Sequence, residues 1–126
     1  MAFTEDTIDV ERYWPMHFYM DADVIANSSI NETITKAKKF RIGDIRLHFS
    51  GGVTSAADFM INVSSILGSR FNVQLLSQDI QGSTDVFLHY SSYLQFNSGD
   101  HVVFTTSTFS VVNSYGIEVF GWAVVG

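Results

Sequence analysis

Four histidines, thirteen acidic residues and fifteen serines are the side chains with catalytic potential in this chain. Their spacing assembles none of the common constellations. A serine nucleophile on a strand-to-helix elbow needs Gly-x-Ser-x-Gly, and that pattern does not occur. His17, His48, His89 and His101 lack the short-range pairing of metal ligands, although a β-sandwich could still bring His48, His89 and His101 together. Asp79 and Asp85 flank Gly82 in a loop that resembles a calcium turn in part only, because calcium takes six to eight oxygens; a polar turn is the simpler reading. Residues 47–126 hold just five acids, and no pair of them stands out as the acid and base of a glycoside hydrolase. Cysteine is absent, which removes disulfides, thiolate metal sites and a cysteine nucleophile. These residues predict a non-enzymatic protein with no cofactor and no metal.

Two groups of side chains suit binding instead. Residues 36–46 carry five of the seven bases, Lys36, Lys38, Lys39, Arg41 and Arg46, against Asp44 alone. Residues 1–35 carry seven acids and one base, Arg12. The net charge of −6 and pI near 4.9 oppose long-range attraction to a polyanion, so the band predicts a solvated face or a docking stripe for an acidic protein surface, with no nucleic-acid partner. Tyr13, Trp14, Phe18 and Tyr19 form an aromatic cluster near the start, and Tyr90 and Tyr93 a second. Either packs a core or, if exposed, stacks on sugars.

These groups must be held by strands. Apolar residues make up 46% and charged residues 16%, a balance that excludes disorder. Fifteen Ser, nine Thr and eighteen aromatic residues suit a pleated, half-buried surface. At 126 residues the chain is one ordinary domain. Its first residues show no basic, apolar leader, and no apolar run is long enough to span a membrane. Residues 1–20 predict an acidic, aromatic arm or edge strand, and residues 21–126 a single sandwich. Pro15 places its strand at an edge, or starts it.

Residues 38–50 make the clearest strand. Phe40 and Ile42 share one parity, and Ile45, Leu47 and Phe49 the other, so a β-bulge is expected at Gly43-Asp44. Lys39, Arg41, Asp44, Arg46 and His48 then face outward together. Residues 54–67 fit a helical stripe or a strand; Asn62-Val63-Ser64-Ser65 is poor helix material and favours the strand. Further strands are expected at 25–35, 70–77, 86–90, 93–96, 101–106 and 115–125. The last is apolar on both faces, with Phe120, Trp122 and Val124 opposite Ile117, Val119 and Ala123. Such a strand lies under another element or against another subunit. The expected fold is all-β, an antiparallel β-sandwich, jelly-roll-like, of about eight strands.

Four stretches carry a resemblance: Lys39-Phe-Arg-Ile-Gly-Asp-Ile-Arg-Leu-His-Phe-Ser50, Asp58-Phe-Met-Ile-Asn-Val63, Asn97-Ser-Gly-Asp-His-Val-Val-Phe104 and Tyr115-Gly-Ile-Glu-Val119. Residues 25–126 resemble small β-sandwich or jelly-roll structural proteins of tailed bacteriophages, notably head decoration (cement) proteins. The resemblance implies a virion component that binds the major capsid protein or other virion proteins and sister copies, often as a trimer, with no membrane partner. Lys36, Lys38, Lys39, Arg41 and Arg46, with Trp14, Tyr19, Phe120 and Trp122, are the expected contact residues. The competing reading is a carbohydrate- or receptor-binding module.

Overall fold

Short runs of β-branched and aromatic residues, punctuated by glycine turns, pair into nine strands among the described residues. The computed structural model describes residues 3–7, 14–23, 29–109 and 114–124. The strands are β1 (Thr4–Thr7), β2 (Trp14–Asp23), β3 (Asn31–Ile34), β4 (Phe40–Phe49), β5 (Asp58–Ser64), β6 (Val73–Asp79), β7 (Asp85–Phe96), β8 (His101–Thr106) and β9 (Ser114–Ala123). They form a five-stranded sheet, β1-β2-β9-β4-β7, and a four-stranded sheet, β3-β8-β5-β6. Every described pairing is antiparallel. Strands β2 to β9 divide four and four in the order that two Greek keys produce, the jelly roll; β1 adds a short edge. No helix among the described residues is long and apolar enough to cross a membrane.

The core lies between the sheets. Phe40, Ile42, Ile45, Leu47 and Phe49 of β4 meet Phe59, Ile61, Val102 and Phe104 of the smaller sheet, all essentially without solvent contact. Burying each such side chain contributes about 1.5–3 kcal/mol. The parity of β4 flips at Gly43, where the register shifts between Ile42 and Asp44 against both neighbouring strands. The bulge therefore stands where the sequence placed it, and residues 58–64 are strand, not helix.

Several boundaries differ from expectation. Strand β2 runs through the division expected at residues 20 and 21 and pairs along its length with β9, so residues 14–20 are part of the sheet. Its described pairing with β1 stops at Thr7↔Met16, one residue short of Pro15. Expected strands 86–90 and 93–96 are one strand, β7. Opposite the single residue Gly43, β7 holds four, 90–93, between His89 and Leu94. That excess reads as a turn in the sequence but is an enlarged bulge, closed by Tyr93 at φ 55°. The strand expected at 70–77 begins at Val73, after a 3₁₀ turn over Ser69–Phe71. Phe71 and Val73 are 61% and 49% exposed. Residues 25–28 and Val125, parts of two expected strands, lie outside the described residues.

Among the described residues two carboxylates are buried: Asp100, which accepts backbone N–H bonds from Ile66 and Asn97, and Glu32. Glu32 of β3 is 5% exposed, and its Oε1 has no hydrogen-bond partner among the described residues. Burial raises its pKa above the ordinary 4.5; burial, and after it the charge of Glu32, raises that of Tyr115. A raised carboxyl pKa means that the fold favours the protonated form. The stability it contributes is complete below the unfolded value and is lost as pH rises through the folded value. Glu32→Gln is therefore expected to raise Tm at pH 7 by ~4 °C, about 1 kcal/mol, with the gain vanishing towards pH 4. Thermal melts of both proteins between pH 4 and 8 check this.

Candidate functional site

On the five-stranded sheet, the strand faces that point away from the core carry ranks of polar and aromatic side chains. Register aligns them. Trp122, Arg41 and Gln95 form one rank; His17, Phe120, Asp44 and His89 the next; Tyr19, Glu118, Arg46 and Phe87 the third; Gly116, His48 and Asp85 the fourth. Directly opposed residues stand ~5 Å apart at Cβ, close enough to interact.

Each rank is knitted across strands. His17 Nε2 lies 3.0 Å from Glu118 Oε2, and its ring stacks on Phe120 at 4.4 Å and 6°. His89 Nδ1 pairs with Asp44 Oδ1, and His48 Nδ1 with Asp85 Oδ1 at 2.7 Å. The Arg41 Nε–H donates to Gln95 Oε1 at 2.9 Å. Arg46 has no ion pair among the described residues. Its guanidinium lies over Phe120 at 5.0 Å and over Phe87 at 5.6 Å, a cation–π arrangement. Tyr93 fills the space above Gly43, where an added Cβ would meet its ring at 3.1 Å, and packs edge-on against Trp122 at 4.2 Å.

Between the third and fourth ranks lies an open depression of about 510 Å³, lined by His17, Tyr19, Arg46, His48, Phe87 and Glu118 among others. Gly116 lines it too. Lacking a side chain in the fourth rank, it leaves the floor low. Phe87 stands at the rim, 59% exposed.

The expected contact residues separate. Tyr19, Arg41, Arg46, Phe120 and Trp122 share this face, interleaved with acids and rings, so no continuous basic stripe forms there. Lys38 and Lys39 are exposed just before β4, and Lys36 lies over the Phe18 ring at 5.1 Å. The backbone of Trp14 is in β2; its side chain lies outside the described residues. His48 and His89 share the face, but His101 sits on β8 in the other sheet. Of the carboxylates of the 79–85 loop, Asp79 accepts the Gln81 amide and Asp85 holds His48. His17, Asp85, Phe87 and Glu118 were not among the expected contact residues. Strand parity places each on an outward face, but register alone brings them together.

The hydrogen bond from His48 holds the Asp85 carboxyl below its ordinary 3.8. A depressed carboxyl contributes stability above its unfolded pKa and loses it as pH falls through the folded one. Asp85→Asn is thus expected to melt slightly lower than wild type at pH 6 and identically near pH 2. The pair is at the surface, so the difference is small. Melting curves across that range measure it.

No family model matches the chain, and no curated protein matches it. Among solved structures, a chain in the structure of infectious bursal disease virus Gx strain aligns over 91% of this chain at 9% identity and a TM-score of 0.30. This chain spans 36% of that one. The sandwich expected from the resemblance is present; these matches do not show its phage decoration type.

Proposed function

We propose that this protein is a non-enzymatic structural subunit of a virus particle, most specifically one that decorates and stabilises an assembled shell by binding sister copies and the major capsid protein. One observation supports the reading above all. Ile66, Leu67, Phe71 and Val73 are 59%, 64%, 61% and 49% exposed, and all lie within eight residues at the β5–β6 end of the four-stranded sheet. Beside them runs β6, the edge strand of that sheet, with an open row of backbone donors and acceptors. Monomeric proteins rarely leave so many large apolar side chains together in water, and such patches mark interaction sites. Edge pairing and apolar burial together form a contact that makes and breaks no bond. The jelly roll is a fold of viral coat domains, which agrees with the reading without fixing it.

Mass spectrometry of density-purified particles from cells making this chain tests the virion assignment. The chain is expected in the particle fraction at stoichiometric copy number. Its confinement to the soluble fraction would refute the assignment.

A further inference from the structure

We propose that the depression on the outer face of the five-stranded sheet binds a neutral pyranose sugar, with Arg46 and Glu118 reading two adjacent hydroxyls and Phe87 as the apolar wall. This site lies on the opposite sheet from the exposed residues 66–73, and it stands or falls independently of them.

The argument begins with Arg46 and Glu118. They are direct register partners on β4 and β9, so their side chains rise from neighbouring points of one face. They make no ion pair with each other or, in the case of Arg46, with any described residue. The Arg46 guanidinium is held instead over the faces of Phe120 and Phe87, which leaves its N–H edge for another acceptor. Glu118 is held by His17 through Oε2, and a carboxylate retains further acceptor capacity. A fixed donor beside a fixed acceptor is what two vicinal hydroxyls need: one accepts from the guanidinium while the other donates to the carboxylate.

The walls supply the rest. Sugar rings carry an apolar C–H face that packs on aromatic carbon, and Phe87, with Arg46 over it and the His89 ring parallel at 6.4 Å and 12°, still exposes 59% of its surface at the rim. Tyr19 lies across the rank from it, beyond Glu118 and Arg46. The volume of about 510 Å³ is within the range of small-ligand sites. Charge selects among sugars. Among the described lining residues, Glu118 and Asp85 stand against one permanent cation, Arg46, so an anionic sugar meets net repulsion, and a neutral one does not.

Saturation-transfer NMR on the intact chain tests this with methyl α-mannopyranoside, methyl β-galactopyranoside, N-acetylglucosamine and N-acetylneuraminic acid. Transfer to at least one neutral sugar is expected, weakened about tenfold in Arg46→Met, since a hydrogen bond to a charged group is worth about that factor, and weakened also in Phe87→Ser, which removes the apolar wall. Both side chains are exposed, so both variants are expected to keep the wild-type circular dichroism spectrum. Three results would overturn the proposal: no transfer to any neutral sugar, transfer to N-acetylneuraminic acid alone, or transfer unchanged in either variant.

Discussion

Gly121→Ala is expected to be the most damaging single-methyl change in the protein. Gly121 pairs with Ile42 immediately before the bulge in β4, and the bulge presses the β4 backbone against β9 at this point. A Cβ built on Gly121 would lie 2.0 Å from the carbonyl oxygen of Arg41 and 3.1 Å from the Cα of Ile42. Those are backbone atoms in the middle of a sheet, so no rotamer change relieves the overlap. The strands must part or the register must slip, and a one-residue slip would turn Ile117 and Val119 out of the core. Overpacking usually costs 1–3 kcal/mol, and a clash with central backbone belongs at or above the top of that range, about 3 kcal/mol or more. Gly43→Ala is the control. It too lies at the bulge, but its Cβ would meet the Tyr93 ring, which can rotate away. Chemical denaturation of the three proteins should therefore show a large loss for Gly121→Ala and a small one for Gly43→Ala.

Phe104→Ala is expected to cost about 3–5 kcal/mol and to loosen the edge of the other sheet as well. Phe104 is completely buried on β8 and stacks against Phe59 of β5 at 6.5 Å and 16°. It also receives the Phe3 ring edge-on at 5.8 Å, and Phe3 in turn touches Phe18 of β2 at 5.8 Å. Phe104 thus links the four-stranded sheet to β2 and to the residue that precedes β1. Its removal leaves a cavity and unseats Phe3 together. Hydrogen exchange should show faster exchange of the β1 amides in the variant, beyond the loss of global stability; unchanged protection of β1 would contradict this role.

How far these features were legible from sequence follows from the range of the interactions behind them. The β4 bulge was legible because parity within one strand records it: Phe40 and Ile42 against Ile45, Leu47 and Phe49. The clustering of Arg41, Asp44, Arg46 and His48 on one face followed from the same parity. Residues 58–64 were legible as strand from the helix-poor Asn62-Val63-Ser64-Ser65. The merging of two expected strands into β7 was hidden, because residues 90–93 bulge against Gly43, fifty residues away. The exposed end was not legible for a related reason. Phe71 and Val73, in the 3₁₀ turn and at the start of edge strand β6, are exposed, whereas Leu75 packs against the core, so the same alternation passes from a surface to the interior. The depression was least legible. It depends on His17 meeting Glu118 across 101 residues and Arg46 meeting Phe87 across 41, and no local pattern encodes that register.

The central claim is that this protein works by assembly through the exposed end of its four-stranded sheet. Light scattering on a sizing column, from micromolar to millimolar protein, tests it most directly, with wild type beside the double variant Leu67→Ser/Phe71→Ser. Wild type is expected to run at a fixed multiple of its 14.1 kDa, and the variant, whose changes lie wholly at the surface, as a folded monomer. A wild-type protein that stays at 14.1 kDa up to millimolar concentration, or a variant that assembles as wild type does, would contradict the account.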